Sequence, residues 1–261
     1  MSRGFGVAAG VDPALAASLA ERCEQLGYSS MWSNDHPAAS GLETLAAFAE
    51  GSERLELGVA VMPLDRYAPA EINAAIDRVG LDRDRLWLGV GAGFSKRPLT
   101  AMREALPELR RELPGVRLVL AAMGPLMSTL AGSGYDGAFL NWMTPSSVET
   151  ARAHVHEGAA EANREAPPVF GYVRTAIGPD ASERLAKEEA FYRELHDGYR
   201  RHFARLDEPE GTIGVAVGSP EEAATELAAF DQLDVTVVRG LASAKLEPMS
   251  AVASGAAPGG N

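Results

Sequence analysis

A (β/α)8 barrel is the fold this sequence predicts, and three observations lead to it. Short apolar strands alternate with helical segments along most of the chain. Prolines recur near the starts of those helices, and one strand runs directly into a glycine-rich turn, Leu88-Gly89-Val90-Gly91-Ala92-Gly93. Strands separated by helices pair in parallel, and eight such strands closing on themselves place a ligand site at their C-terminal ends. A doubly wound open sheet is the alternative arrangement.

The first strand covers 5–9 and the first helix 13–26. Leu15, Leu19, Arg22 and Leu26 recur at helical spacing, Asp12-Pro13 reads as an N-cap followed by a first-turn proline, and Gly27 ends the helix. A second unit pairs a strand at 29–32 with a helix at 42–49. The third joins 55–62 to 69–79, the fourth 86–90 to 99–113, and the fifth 116–123 to 126–131. The sixth runs from 138–143 into 145–163, the seventh from 169–177 into one long helix at 181–206, and 235–239 supplies the eighth strand. Ala68-Pro69, Thr144-Pro145 and Gly178-Pro179 repeat the proline signal, because a proline in the first turn lacks only an N–H that would be unpaired there. Residues 211–218 form an extra strand or a loop, and Ser219-Pro220 opens a short helix to Phe230. One barrel domain therefore spans 1–249. The Gly, Ala and Ser-rich stretch 250–261 is expected to be disordered.

With 261 residues and 46% hydrophobic content, the chain can bury a large core. Lys and Arg number 24 against 36 Asp and Glu, a net charge of −12, which argues against nucleic acid or an anionic membrane as a partner. No apolar run approaches the roughly eighteen residues of a membrane span, and a cytoplasmic protein is expected. Cys23 is the single cysteine, so an intrachain disulfide or thiolate cluster is excluded. His154 with His156, and His196 with His202, do not have the spacing of a metal site and are expected on the surface; no metal site is predicted. Gly4-Phe5-Gly6 reads as part of the first strand rather than as a dinucleotide turn.

The predicted strand ends carry the candidate chemistry. Asn34-Asp35-His36 follows the second strand; His36 could exchange a proton near neutral pH with Asp35 or Asn34 fixing its tautomer, or it could be an exposed turn histidine. Gly58-Val59-Ala60-Val61 ends the third strand in small and apolar residues able to form a shelf beneath a planar ring. Gly91, Ala92 and Gly93 leave backbone N–H groups open to a phosphate or a flat ring, or they turn a tight corner. Gly124, Pro125 and Leu126 open a helix whose free N–H groups and dipole favour an anion. Asn141 and Arg174 are polar residues inside apolar strands, so each must be paired or face a ligand.

In this order the motifs resemble the bacterial luciferase-like superfamily of flavin- and deazaflavin-dependent oxidoreductases. The resemblance rests on Leu26-Gly27-Tyr28 leading to Trp32 and Asp35-His36, on Leu57 to Val61 followed by Arg66-Tyr67-Ala68-Pro69, and on Arg85 to Gly93. It implies a non-prolyl cis peptide at Ala60-Val61 backing the ring, Gly91 to Gly93 and Asn141 along the cofactor, and the phosphate at Gly124-Pro125-Leu126. It also implies His36 beside the ring and hydride transfer to or from a small organic substrate, in a homodimer. Coenzyme F420 is the cofactor expected, with FMN and a monooxygenase reaction as the alternative and a non-catalytic flavin-binding barrel as a third reading. Two departures stand out. Phe94 occupies the place of an acid found in some relatives, and the insertion after the fourth strand is short, which predicts a more open or partner-completed site.

Overall fold

The computed structural model describes residues 2–259 and has nine parallel strands. They are β1 (Ser2–Val7), β2 (Ser30–Ser33), β3 (Glu56–Pro63), β4 (Leu86–Gly91), β5 (Arg117–Ala121), β6 (Gly137–Asn141), β7 (Val169–Ile177), β8 (Val215–Val217) and β9 (Val235–Gly240). The helices are α1 (Pro13–Gln25), α2 (Gly41–Gly51), α3 (Pro69–Val79), α4 (Pro98–Glu112), α5 (Pro125–Gly134), α6 (Pro145–Glu161), α7 (Ala181–Leu195), α8 (Asp197–Leu206), α9 (Pro220–Ala228) and α10 (Leu246–Gly255). The sheet order is β6-β5-β4-β3-β2-β1-β9-β7-β8, and a further β6–β7 pairing closes the barrel through β1 to β7 and β9. Among the described residues β8 pairs only with the end of β7, at Thr175 to Ile177, so the uncertain stretch before α9 is a strand lying outside the closed ring.

Helix starts follow the residue chemistry. Asp12 caps α1 through its carboxylate, Ser40 caps α2 and Thr144 caps α6, and prolines stand in the first turns of α1, α3, α4, α5, α6 and α9. Gly80 closes α3 in the left-handed region at φ 68°, where glycine carries no Cβ penalty.

Inside the ring, aromatic side chains occupy room that glycines leave. Trp32, Trp87, Phe139, Phe170 and Tyr172 form one buried cluster, with Trp32 ring centroids 4.9 Å from Phe139 and 5.2 Å from Phe170. A Cβ on Gly58 would fall 2.2 Å from the Trp32 indole, and one on Gly6 2.8 Å from the Tyr172 ring. The lower end is closed by polar groups: Trp87 Nε1 and Arg117 donate to the Glu56 carboxylate at 2.9 and 2.6 Å, while the Arg117 guanidinium lies 4.0 Å from the Trp87 ring centre.

Three expectations need correction. The single helix expected over 181–206 breaks at His196, whose extended backbone ends α7 and whose Nδ1 accepts the Gly198 N–H to cap α8. Much of the stretch expected to be disordered continues α10 instead, with Val252, Ala253 and Ala256 buried; its small residues allow close packing where composition alone suggested looseness. His202, expected at the surface, is buried.

Candidate active site

At the end of β3 the Ala60–Val61 peptide is cis, at the place the resemblance implied. The β3–β4 register shifts between Val59 and Met62, so the chain bulges there. β4 accommodates the bulge through its glycines. A Cβ on Gly89 would stand 2.4 Å from the Val59 carbonyl oxygen, and one on Gly91 3.0 Å from a Val61 methyl. The room beside Gly89 and Gly91 thus serves the neighbouring strand and supports the bulge at Ala60 and Val61 as a shelf at the barrel mouth. Gly93 has φ 56°, and a Cβ there would collide with the Asp65 carboxylate, which accepts the Phe94 N–H at 2.8 Å. Ala92 and Gly93 are therefore tied to the loop that follows the bulge.

The polar cluster after β2 is held by its own loop contacts. Asn34 Oδ1 accepts the Ala9 N–H at 3.1 Å, Asp35 Oδ1 accepts the Gly41 N–H at 3.1 Å, and Asp35 Oδ2 accepts the Tyr67 hydroxyl at 2.9 Å. Burial, followed by the hydrogen bond to Asp35, pushes the Tyr67 phenol up, so it stays a donor. His36 is exposed, and its Nδ1 accepts the Ala38 N–H at 3.1 Å within a short bridge to Ala39. This corrects the expectation that Asn34 or Asp35 sets its tautomer. With Nδ1 accepting from Ala38, neutral His36 carries its proton on Nε2.

Gly124 caps α5 in an extended conformation, Pro125 begins the helix, and Leu126 is 67% exposed. Pro125 has no N–H, and the Met127 and Ser128 N–H groups donate to the Gly124 carbonyl at 3.1 and 3.0 Å, which leaves the Leu126 N–H of the first turn to face a ligand. Arg205 of α8 donates to the Met123 carbonyl, and a Cβ on Gly124 would come within 3.3 Å of its guanidinium. A cation and a helix N-terminus thus meet at a residue without a side chain, which suits a phosphate.

Asn141 and Arg174 are paired with each other. Arg174 Nη1 donates to Asn141 Oδ1, and Asn141 Nδ2 donates to the Tyr199 hydroxyl at 3.0 Å. Burial raises the Tyr199 phenol to about 12. Above them, α7 and α8 pack Leu185, Phe203, Tyr192 and Tyr199 around Trp142, whose backbone is left-handed at φ 53°. Although the connection after β4 is as short as expected, the mouth is not left open on this side: the α7–α8 pair covers β6 and β7, and His196 meets Phe94 edge-on at 5.4 Å. His202 fastens α8, its Nε2 2.6 Å from the Trp142 carbonyl and its Nδ1 3.2 Å from an Arg205 nitrogen. The Met123 carbonyl also lies 2.9 Å from Nδ1; burial lowers the imidazole pKa and the Arg205 charge acts in the same direction, against the carbonyls of Trp142, Met123 and Asn141.

Sequence reasoning missed Arg205, His202 and Arg239. Arg239 carried a usable signal, since it interrupts an apolar strand just as Arg174 does. A surface cleft of about 530 Å³ lies at the opposite end, between Glu149 and Arg152 of α6 and the Asp231–Asp234 turn. Its Asp234 already accepts from Val169 N–H and Arg152, and the mouth with the shelf is the better candidate. No cluster of three or more His, Cys, Asp or Glu side chains fit to hold a metal occurs among the described residues. No helix among them is long and apolar enough to cross a membrane.

The bulged shelf at the mouth of a closed eight-strand ring agrees with a sequence match to the family described as luciferase-like monooxygenase, which covers residues 2–114 and 102–244. The chain belongs to this family. It is 26% identical over 210 residues to a 5,10-methylenetetrahydromethanopterin reductase of Methanolobus tindarius, covering 66% of this chain and 64% of that protein. It is 27% identical over 228 residues to an F420-dependent glucose-6-phosphate dehydrogenase of Nocardia farcinica (strain IFM 10152), covering 67% of this chain and 68% of that protein. The chain thus spans about two thirds of the length of these relatives. Among solved structures, an F420-dependent secondary alcohol dehydrogenase in complex with an F420-acetone adduct superposes with a TM-score of 0.75 at 18% identity, over 96% of each chain.

Proposed function

We propose that this protein is a deazaflavin-dependent oxidoreductase moving a hydride between coenzyme F420 and a small organic substrate. The observation that carries the reading is the bulged Ala60–Val61 shelf, seated against Gly89 and Gly91 at the C-terminal end of β3. When bound, the deazaflavin supplies the hydride chemistry, and the chain supplies position. Ala60 and Val61 would back the ring, with Gly91, Ala92 and Gly93 along it. Gly124, Pro125 and Leu126 would receive a phosphate, assisted by the Arg205 guanidinium. Asn141, fixed by Arg174 and Tyr199, holds the strand end beside that helix start. His36 offers Nε2–H as a donor to a substrate oxygen, and it takes that part because its other nitrogen is already occupied by Ala38.

Anaerobic titration with coenzyme F420 and, separately, FMN tests the reading. Saturable F420 binding and much weaker FMN binding are expected; tighter FMN binding would replace it with a flavin-dependent monooxygenase. F420 bound without turnover across a panel of alcohols, aldehydes and enones would favour a non-catalytic barrel. The reading includes a cytoplasmic homodimer. One cysteine and no disulfide suit a reducing compartment, and exposed Phe94, Phe191 and Leu195 offer apolar surface to a second copy. A monomeric mass by light scattering would remove the dimer.

A further inference from the structure

The chain carries a net charge of −12, yet two arginines on the inner wall of its barrel have no acidic partner among the described residues. Arg174 on β7 and Arg239 on β9 are register partners on neighbouring strands, near the C-terminal ends. Two residues before each stand Tyr172 and Val237, members of the aromatic cluster that fills the ring, so the alternation of the strands turns both arginines inward. Their guanidinium carbons lie 5.7 and 5.9 Å from the centre of the same Tyr172 ring.

Arg174 is 2% exposed, and its guanidinium is sandwiched 4.1 Å from the Trp142 ring centre and 5.0 Å from that of Tyr192. Its one hydrogen-bond acceptor is the Asn141 amide oxygen, and its Nε is buried with no partner. Half-buried Arg239 makes no hydrogen bond or ion pair through its side chain among the described residues. The Tyr172 hydroxyl between them is also buried without a partner. Aromatic faces offset part of the cost of burying a guanidinium, but orphan N–H and O–H groups retain their full desolvation penalty until an acceptor arrives. Two buried unsatisfied donors, Arg174 Nε and the Tyr172 hydroxyl, and two positive charges on one wall call for an anionic acceptor.

We propose that Arg174 and Arg239, with the Tyr172 hydroxyl, form a subsite for the anionic group, a carboxylate or a phosphate, of the substrate. The assignment to substrate rests on the proposed function and on the geometry of the ring. In the closed ring β7 lies four strands from the Ala60–Val61 shelf on β3 and β9 three, so the arginine wall stands across an eight-strand barrel from it. A cofactor held on the shelf would have that wall across the mouth from it, whereas its phosphate would have the start of α5 and Arg205 to receive it. A substrate held by its anionic end on β7 and β9 is thereby aimed across the mouth at the ring. Arg239 makes the first contact, and Arg174, fixed by its aromatic sandwich, supplies charge from behind.

Calorimetric titration of the wild-type protein with inorganic phosphate and with acetate, at constant ionic strength set by chloride, with and without coenzyme F420, tests this. Saturable binding is expected in both states. R239Q should weaken it by about tenfold or more, as for loss of a charged hydrogen-bonding partner, while R239K retains part of it and F420 affinity is unchanged in both variants. Non-saturable heats, or equal binding by R239Q, would overturn the subsite. Phosphate competing with F420, together with a matching loss of F420 affinity in R239Q, would give the anion to the cofactor and overturn the substrate assignment. A protein that binds the anions but not F420 refutes the proposed cofactor and removes the substrate assignment with it, leaving an anion site demonstrated by the titration without F420.

Discussion

At the scale of single residues, missing side chains matter as much as present ones. Gly58 faces the Trp32 indole so closely that a methyl group would sit 2.2 Å from ring carbon, and the indole is itself wedged against Phe139 and Phe170. Neither can give way, so G58A should cost about 1–3 kcal/mol of stability, the range for overpacking a tight core; urea unfolding with an unchanged midpoint would refute this. His36 is the opposite case. Exposed in its turn, it should be dispensable for folding, and H36A should leave the urea midpoint where it was while lowering kcat by about a hundredfold, as for a lost proton donor. Full activity in H36A on any substrate found would remove it from the chemistry. The glycines of β4 were legible in the sequence as a mark of close approach, but not what approaches, because the Val61 methyls and the Val59 carbonyl reach them only through the bulge of the preceding strand, a shift in pairing that no residue pattern announces. Arg239 was legible in the same way as Arg174 and went unread, since its isolation becomes visible only once β7 and β9 are neighbours.

Among the elements, the α7–α8 pair departs furthest from the sequence pattern and has the most consequence for the site. Apolar and polar residues continue at helical spacing through 181–206, which masks the turn dipeptide Asp197-Gly198 within it; His196 makes the break by capping the second helix, its ring nitrogen accepting the Gly198 N–H. The break lets α8 turn back over β6, where Phe203 packs on Trp142 and His202 reaches the Trp142 carbonyl. His202 also gives this clasp a pH dependence. Burial places its folded pKa below the ordinary 6.5, and the groups facing it are Arg205 and the carbonyls of Met123, Asn141 and Trp142. As pH falls through about 6.5, the unfolded chain therefore takes up a proton before the folded one does. The contribution of neutral His202 is complete above that pH and is lost as the pH drops toward the lowered folded value. Wild-type Tm should decline between about pH 7.5 and pH 5.5 more steeply than that of H202Q, with the difference between the two profiles isolating this group from the similarly lowered His196. Parallel profiles would mean that the clasp does not titrate in this range.

Over the whole molecule, the alternation of strands and helices was legible because each unit announces itself locally, whereas closure depends on contacts between the two ends of the chain. β1 pairs with β9 from Ser2 with Val235 to Gly6 with Arg239, which joins the first strand to the last. Behind that seam α10 packs against α1. The Tyr28 hydroxyl donates to the Ala253 carbonyl at 2.8 Å, and Arg3 donates to the carbonyls of Ala256 and Ala257 at 3.0 and 3.1 Å. The composition that suggested disorder is what permits this approach, since Ala253 and Ala256 are fully buried where larger side chains would hold the two helices apart. Removal of residues 246–261 would expose the surfaces beneath Met249, Val252 and these alanines, worth about 4 kcal/mol of apolar burial. It would also strip the Tyr28 hydroxyl of its acceptor inside the core. Against a typical total of about 5–15 kcal/mol, such a truncation should lower the urea midpoint sharply and loosen the β1–β9 seam. Because Arg239 lies in that seam, hydrogen exchange should quicken at Arg3 to Gly6 and Val237 to Arg239 before it does at β4 and β5. A truncated chain that keeps the full-length midpoint, with exchange unchanged at the seam, would show that the barrel closes without its last helix.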